Sequence, residues 1–242
     1  MSFPSNFGTL RLDDALRLLK QSGLPLTEAG EVFSTAQVQG IIDGLCSLSS
    51  CDALTGLANR RQFLAVLAQE LDRVLRTGAP MALLLADVDH FKQVNDSFGH
   101  LAGDNVLQAL AQRVRDTIRP MDSAARYGGE EFAVILPNCL PVHAARVAER
   151  IRKSIAETPI ALQDGRLLSV TLSIGGACVA PWQAIGIETL FSSADAQLYR
   201  AKHAGRNRAL VDTDQMPGVS EAEKAALLTP GNNEQPDEYA QS

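Results

Sequence analysis

The sequence predicts an α+β fold, a mixed or antiparallel sheet with helices on its faces, and three observations carry that expectation. Short apolar runs of strand length alternate with longer segments of helical period. Two of the short runs are joined by Gly128-Gly129-Glu130-Glu131, which reads as a β-hairpin and breaks the pattern of an all-parallel sheet. The 242 residues are 45% hydrophobic and 21% charged, ordinary globular composition with length for one full domain and a smaller piece.

Taken in order, residues 9–20 read as a short amphipathic helix with Leu12, Ala15, Leu16 and Leu19 on one face, broken by Gly23 and Pro25. Thr27 and Glu28 can open a second helix. Val38, Ile41, Leu45 and Leu48 then follow at spacings of three, four and three, an a/d seam of about two heptads. That seam is either a dimerising stalk or one more helix packed on the domain. Asp52 caps a turn before Leu54-Thr55-Gly56-Leu57, and Arg60-Arg61 open a helix to Thr77, ended by Gly78 and Pro80. Met81 to Ala86 is a buried strand. A helix over 103–118 turns Leu107, Leu110, Val114 and Ile118 inward, and the hairpin segments are Ala124 to Tyr127 and Phe132 to Leu136. A helix over 141–156, strands at 160–163 and 167–179, a helix over 188–204 and a strand from Arg208 to Val211 complete the domain.

Charge and cysteine usage exclude several function classes. From Asp212 onward there are seven acids and one base, so the whole net charge of −6 lies in the tail, which with Pro217, Pro230 and Pro236 is expected to be disordered apart from a short helix at Glu221 to Leu228. Residues 1–211 are formally neutral and lack the positive field of a nucleic-acid binder, so no nucleic-acid partner is expected. The longest apolar run, Met81 to Ala86, falls far short of the roughly 18 residues of a membrane span. Met1 to Leu10 carry no basic charge, so no secretory signal is expected. Cys46, Cys51, Cys139 and Cys178 form no CxxC pair, which fits reduced thiols in a cytoplasmic protein and does not suit zinc.

Two acidic pairs stand at the ends of buried apolar segments: Asp87 with Asp89 after the 81–86 strand, and Glu130 with Glu131 on the hairpin turn. A carboxylate beside a buried strand is costly unless solvated, paired or bound to metal. Singly, each pair reads as a solvated strand end or an ordinary turn. Together, with Lys92, Lys202 and Arg206 nearby, they suit magnesium and a phosphate. Lys202 and Arg206 stand at i, i+4 on one helix face unless Gly205 breaks the helix between them.

Tyr127-Gly128-Gly129-Glu130-Glu131-Phe132 resembles the signature of the GGDEF family, the diguanylate cyclases, in its GGEEF variant. Asp52 to Arg61, Asp87-Val88-Asp89-His90-Phe91-Lys92, Asn95-Asp96, Phe98-Gly99-His100, Gly103-Asp104, Ser173-Ile174-Gly175, Ala194-Asp195, Leu198-Tyr199 and Lys202 through Asn207 are similar to its further motifs in order and spacing, over about residues 50–210. His90 departs from the aromatic or aliphatic residue expected there.

The resemblance implies a palm-like sheet related to nucleotidyl cyclases, and the seam at 38–48 leads to the expectation of an N-terminal helical stalk before it. Its boundaries are a regulatory or dimerisation segment at 1–50, the catalytic domain at 51–211 and the acidic tail at 212–242. It implies a homodimer that condenses two GTP into cyclic di-GMP and two pyrophosphates. Asp87, the carbonyl of Val88, Glu130 and Glu131 would hold two Mg2+, or Mn2+, and Glu130 would be metal ligand, general base, or both. Asn95 and Asp104 would read guanine. Lys92, Lys202, Arg206 and the amides of His90 and Phe91 would hold the triphosphate, with Lys92 and Glu130 as the catalytic pair. Gly128 and Gly129 would let the turn approach the nucleotide. Arg119-Pro120-Met121-Asp122, at its fixed offset from Gly128, resembles the family's RxxD product-inhibition site, with Arg146 and Arg150 as secondary contacts. The rival is a non-catalytic receptor for GTP or cyclic di-GMP. The short seam, interrupted by Gly40 and Gly44, leads to a further expectation: a separate regulatory protein that orders the N-terminal helices, docking on residues 10–19.

Overall fold

A computed structural model of the chain describes residues 35–162 and 165–212. The helix expected at 9–20, the second opening at Thr27 and the tail beyond residue 212 lie outside the described residues.

The elements run α1 (Thr35–Ser50), α2 (Arg60–Thr77), β1 (Met81–Val88), α3 (Phe91–Phe98), α4 (His100–Thr117), β2 (Ser123–Arg126), β3 (Glu131–Pro137), α5 (Pro141–Ala156), β4 (Ile160–Ala161), β5 (Leu167–Leu168), β6 (Leu172–Val179), α6 (Ile187–His203) and β7 (Ala209–Val211). Five strands form one mixed sheet in the order β2-β3-β1-β6-β7, with β7 parallel to β6 and every other pair antiparallel. The expected α+β sandwich is the observed one. β4 and β5 form a separate two-stranded ribbon.

β1 is the middle strand, and its period of two builds both cores. Ala82, Leu84, Ala86 and Val88 pack with α3, α4 and α5 on one face. Met81, Leu83 and Leu85 pack with Phe63, Leu67 and Val74 of α2 and Leu190, Ala194 and Leu198 of α6 on the other. Burial on both faces explains why β1 reads as a continuous apolar run. Among the described residues, neither core takes a residue from α1, although Ile41 of α1 is itself buried.

Local chemistry sets the ends. The Asn59 side chain accepts from the Gln62 N–H at 3.0 Å and starts α2, and Gly78 in the left-handed region ends it. Pro141 sits in the first turn of α5. A Cβ on Gly175 would collide with the backbone of Ala194 and Leu198, so this glycine is what lets α6 lie directly on β6.

Three details differ from the sequence expectation. α3 was not foreseen, and α4 begins at His100 rather than 103, because Gly99 breaks one helical stretch into two. The stretch 167–179 divides into β5 and β6, since β5 pairs only with β4. α6 stops at His203, so Arg206 does not share a helix face with Lys202. No helix among the described residues is long and apolar enough to cross a membrane. Burial pushes the Cys139 thiol up to about 11 and the Cys178 thiol up to about 12, which leaves both unreactive at neutral pH.

Candidate active site

The C-terminal end of β1 meets the first residues of both its neighbours, because both run antiparallel to it. Asp87 therefore lies opposite Glu131 on one side and Ser173 on the other. Asp87 is only 8% exposed, and Lys202 of α6 reaches it, Nζ to Oδ2 at 2.8 Å. The Val88 N–H donates to the Glu130 carbonyl at 3.3 Å, which fixes the hairpin turn beside the strand end. Burial and the Asp87 carboxylate push the Glu130 carboxyl above its ordinary range. Lys202 opposes that shift and Glu131 adds to it. Asp87 and Glu130 thus share one ammonium, with the Glu131 charge acting on Glu130.

That excess of negative charge is what a divalent cation would relieve. Among the described residues no three His, Cys, Asp or Glu side chains form a ready metal cluster. Magnesium does not ask for one: it takes one or two carboxylates and completes its shell with water and phosphate oxygens. The donors here are hard oxygens whose mutual repulsion a divalent cation relieves, so they fit the ion.

The two glycines of the turn differ in what surrounds them. A Cβ on Gly128 would collide with the Glu131 carboxylate, while one on Gly129 would meet nothing. Arg126, which the sequence reading did not single out, holds this turn from behind. Its Nη2 and Nε donate to the Gly129 carbonyl at 2.7 and 3.1 Å, and its Nη1 reaches both Asp52 oxygens at 3.3 and 3.4 Å. Asp52 also accepts from the N–H and hydroxyl of Thr55, the capped turn expected there. Asp52 stands two residues past α1, so one guanidinium spans from the exit of α1 to the hairpin turn.

The phosphate and base candidates surround this end. His90 is exposed at a φ of 58°, and it caps α3 with no side-chain hydrogen bond. The amides of the first turn of a helix have no intrahelical partner, so α3 presents N–H groups at the β1–α3 turn, beginning at Phe91. Lys92 is exposed on the same turn and forms no ion pair among the described residues. Arg206 is exposed at a φ of 60° in the loop after α6. Asn95 on α3 and Asp104 on α4 are half-buried neighbours. A Cβ on the intervening Gly103 would collide with Asn95 Oδ1, so Gly103 admits the amide that faces α4. A cavity of about 390 Å³ opens beside Glu131, walled by the stacked rings of Tyr127 and Phe191 with centroids 4.9 Å apart.

Asp89, the other buried carboxylate of the β1 end, is placed differently from Asp87. It accepts from Thr171, Ser173 and the Asn207 amide. The sequence reading grouped it with Asp87. Its donors are 82 or more residues away, so no local pattern betrays them.

The RxxD turn lies at the far end of α4. Asp122 accepts from the Arg119 N–H at 2.8 Å and its own N–H donates to the Arg119 carbonyl at 3.0 Å, a closed turn that leaves the Arg119 guanidinium exposed. A cavity of about 400 Å³ adjoins it, lined by Leu57, Arg115, Ile118 and Arg119 among others. Arg150 of α5 donates to the Thr117 carbonyl at 2.6 Å, two residues before Arg119, and Arg146 is exposed one turn earlier.

Comparison with known proteins bears on this geometry. Residues 49–208 match the family described as diguanylate cyclase, GGDEF domain. The response regulator PleD of Caulobacter vibrioides is 41% identical over 174 residues, 72% of this chain and 38% of PleD. The chain spans less than half the length of such curated relatives. The GGDEF domain of DgcB from Caulobacter crescentus, solved with c-di-GMP, is 35% identical at a TM-score of 0.63, covering 67% of this chain and 95% of that one. Diguanylate cyclase SiaD from Pseudomonas aeruginosa, solved with its activator SiaC, is 32% identical at a TM-score of 0.65, covering 83% and 72%.

Proposed function

The chain belongs to the GGDEF family, and on that premise we propose that it is a diguanylate cyclase, joining two GTP into cyclic di-GMP with release of two pyrophosphates. The observation that carries this reading is the end of β1, where Asp87, Glu130 and Glu131 gather beside a glycine turn with Lys202 on Asp87.

Asp87, the Val88 carbonyl, Glu130 and Glu131 would hold two Mg2+ or Mn2+, which when bound supply charge neutralisation and a polarised hydroxyl. The α3 amides, Lys92 and Arg206 bind the triphosphate. Lys202 leaves Asp87 for a phosphate oxygen once the carboxylate is otherwise satisfied. Asn95 and Asp104 hydrogen-bond the guanine edge, and a wrong base leaves these polar groups unpaired. Glu130, whose carboxyl is already pushed up, is positioned to take the 3′-hydroxyl proton. Lys92 meets the charge that develops on the phosphate under attack.

One domain holds one GTP, and each GTP must present its 3′-hydroxyl to the other. Two domains therefore face each other, and dimer geometry governs the rate. Product bound at Arg119, Arg146 and Arg150 would hold the domains apart. The SiaD likeness covers more of this chain than the domain alone, and SiaD has a separate activator. That supports a regulatory protein acting on the segment before Asp52, and α1 as a stalk. The enzyme is placed in the cytoplasm, where GTP is found.

The test is incubation with GTP and Mg2+. Formation of cyclic di-GMP and pyrophosphate is expected, and tight GTP binding without either product would instead make this a receptor.

A further inference from the structure

Asp89 is 5% exposed, and both its oxygens are engaged by the protein. Thr171 Oγ1 donates to Oδ2 at 2.7 Å, Ser173 Oγ to Oδ1 at 2.6 Å, and the Asn207 N–H to Oδ2 at 3.0 Å. Its own N–H donates to the Thr171 carbonyl at 3.0 Å. A buried carboxylate with this many donors is a joint between segments rather than an open ligand.

What it joins is informative. Asp89 stands in the β1–α3 turn, directly after Asp87 and Val88 and directly before His90 and Phe91. Asn207 follows Arg206 in a loop where Gly205, Arg206 and Asn207 have φ values of 110°, 60° and 46° in succession. Two consecutive side-chain-bearing residues in the left-handed region persist only where their surroundings over-determine them. The surroundings here are specific. The Arg206 N–H donates to the Ala201 carbonyl at 3.1 Å, and the Asn207 N–H goes to Asp89. Asn207 Oδ1 accepts from Arg152 Nη1 at 2.7 Å, and Glu149 in turn pairs with Arg152 at 2.7 Å. Asn207 is thus pinned from the sheet side by Asp89 and from α5 by Arg152.

We propose that Asp89 is a positioning residue for the nucleotide's phosphate tail. Through the Asn207 amide it holds the strained loop that carries Arg206 against the turn that carries Asp87, Val88 and the α3 amides, so the two halves of the phosphate cradle keep one geometry. Arg152 is the second anchor of the same loop. The inference rests on the cyclase reading, in which Arg206 meets phosphate.

The probe is 3′-deoxy-GTP with Mg2+, which lacks the attacking hydroxyl and so reports binding without turnover. Asp89→Ala and Arg206→Ala are each expected to weaken its binding about tenfold. If Asp89 acts through Arg206, the double variant binds within about twofold of Arg206→Ala alone, because the two losses are one interaction removed twice. Losses that multiply in the double variant overturn the proposal, as does wild-type affinity in Asp89→Ala. Should Asp89→Ala fail to fold, Arg152→Met removes the other anchor from the domain's outer side. It is expected to give about a threefold loss that vanishes in the Arg206→Ala background, and a loss that persists there overturns the proposal equally. Should wild-type protein show this pattern yet form no cyclic di-GMP from GTP, the cyclase reading fails while the clamp stands. Absence of any 3′-deoxy-GTP binding by the wild type overturns both.

Discussion

Asp87 sits where an unpaired charge is costly, and Lys202 is its partner there. Asp87→Asn or Glu130→Gln removes a ligand charge at a polar strand end without touching either core. The expected result is a loss of turnover of more than about 100-fold with an unchanged melting temperature. Pyrophosphate release and a thermal scan check it, and activity within about tenfold of wild type contradicts the metal assignment. Gly103 makes a second residue-scale case. Gly103→Ala drives a methyl into Asn95 Oδ1 and displaces the proposed guanine reader, so KM for GTP should rise about tenfold while ATP gains as a competitor. These residues differ in how far the sequence announces them. Asp87, Glu130, Lys202 and Asn95 are legible in motifs. Asp89 reads in sequence as a partner of Asp87, because only the folded sheet brings Thr171, Ser173 and Asn207 to it. Arg126 escapes notice because its two acceptors lie on opposite sides of it, 74 residues and 3 residues away.

At the scale of elements, α2, β1, the hairpin and α5 follow from apolar period, from Gly78 and Pro80 and from the Gly-Gly turn, and their observed bounds lie close to the expected ones. α3 is short and polar, with only Phe91 and Val94 buried, too few turns for a period to show. The joint between α1 and the hairpin gives a test by acid. Burial alone would raise the Asp52 carboxyl, but hydrogen bonds from Thr55 and the charge and hydrogen bond of Arg126 outweigh it and hold it below its ordinary value. A lowered carboxyl contributes stability above its unfolded value, about pH 4, and that contribution is lost as pH falls through the folded value. Asp52→Asn should therefore cost about 1–2 kcal/mol at pH 7. The gap between the two proteins should close progressively below pH 4 in unfolding measured by denaturant. A gap that stays constant down to pH 2 places the stabilisation elsewhere.

On the proposed function, control at the scale of the whole molecule involves three regions: the segment before Asp52, the site at the end of β1, and the RxxD turn beyond α4. Arg119→Ala removes an exposed guanidinium that makes no hydrogen bond among the described residues, so the fold should not change. Turnover assayed at rising cyclic di-GMP should lose its inhibition, and equal inhibition of both proteins would return Arg119 to a simple helix-end charge. Removing residues 1–49 tests the stalk. The shortened protein should associate more weakly and show lower turnover at low protein concentration, with the difference narrowing as concentration rises. Identical curves remove α1 from control.

In the proposed reaction two copies of this site, each holding one GTP, react with each other. It is tested most directly by measuring cyclic di-GMP and pyrophosphate together across a range of protein concentration. One cyclic di-GMP is expected for every two pyrophosphates, with specific activity that climbs with protein concentration until the dimer saturates. Release of pyrophosphate without cyclic di-GMP, or a specific activity independent of concentration in a protein that sediments as a monomer, would contradict it.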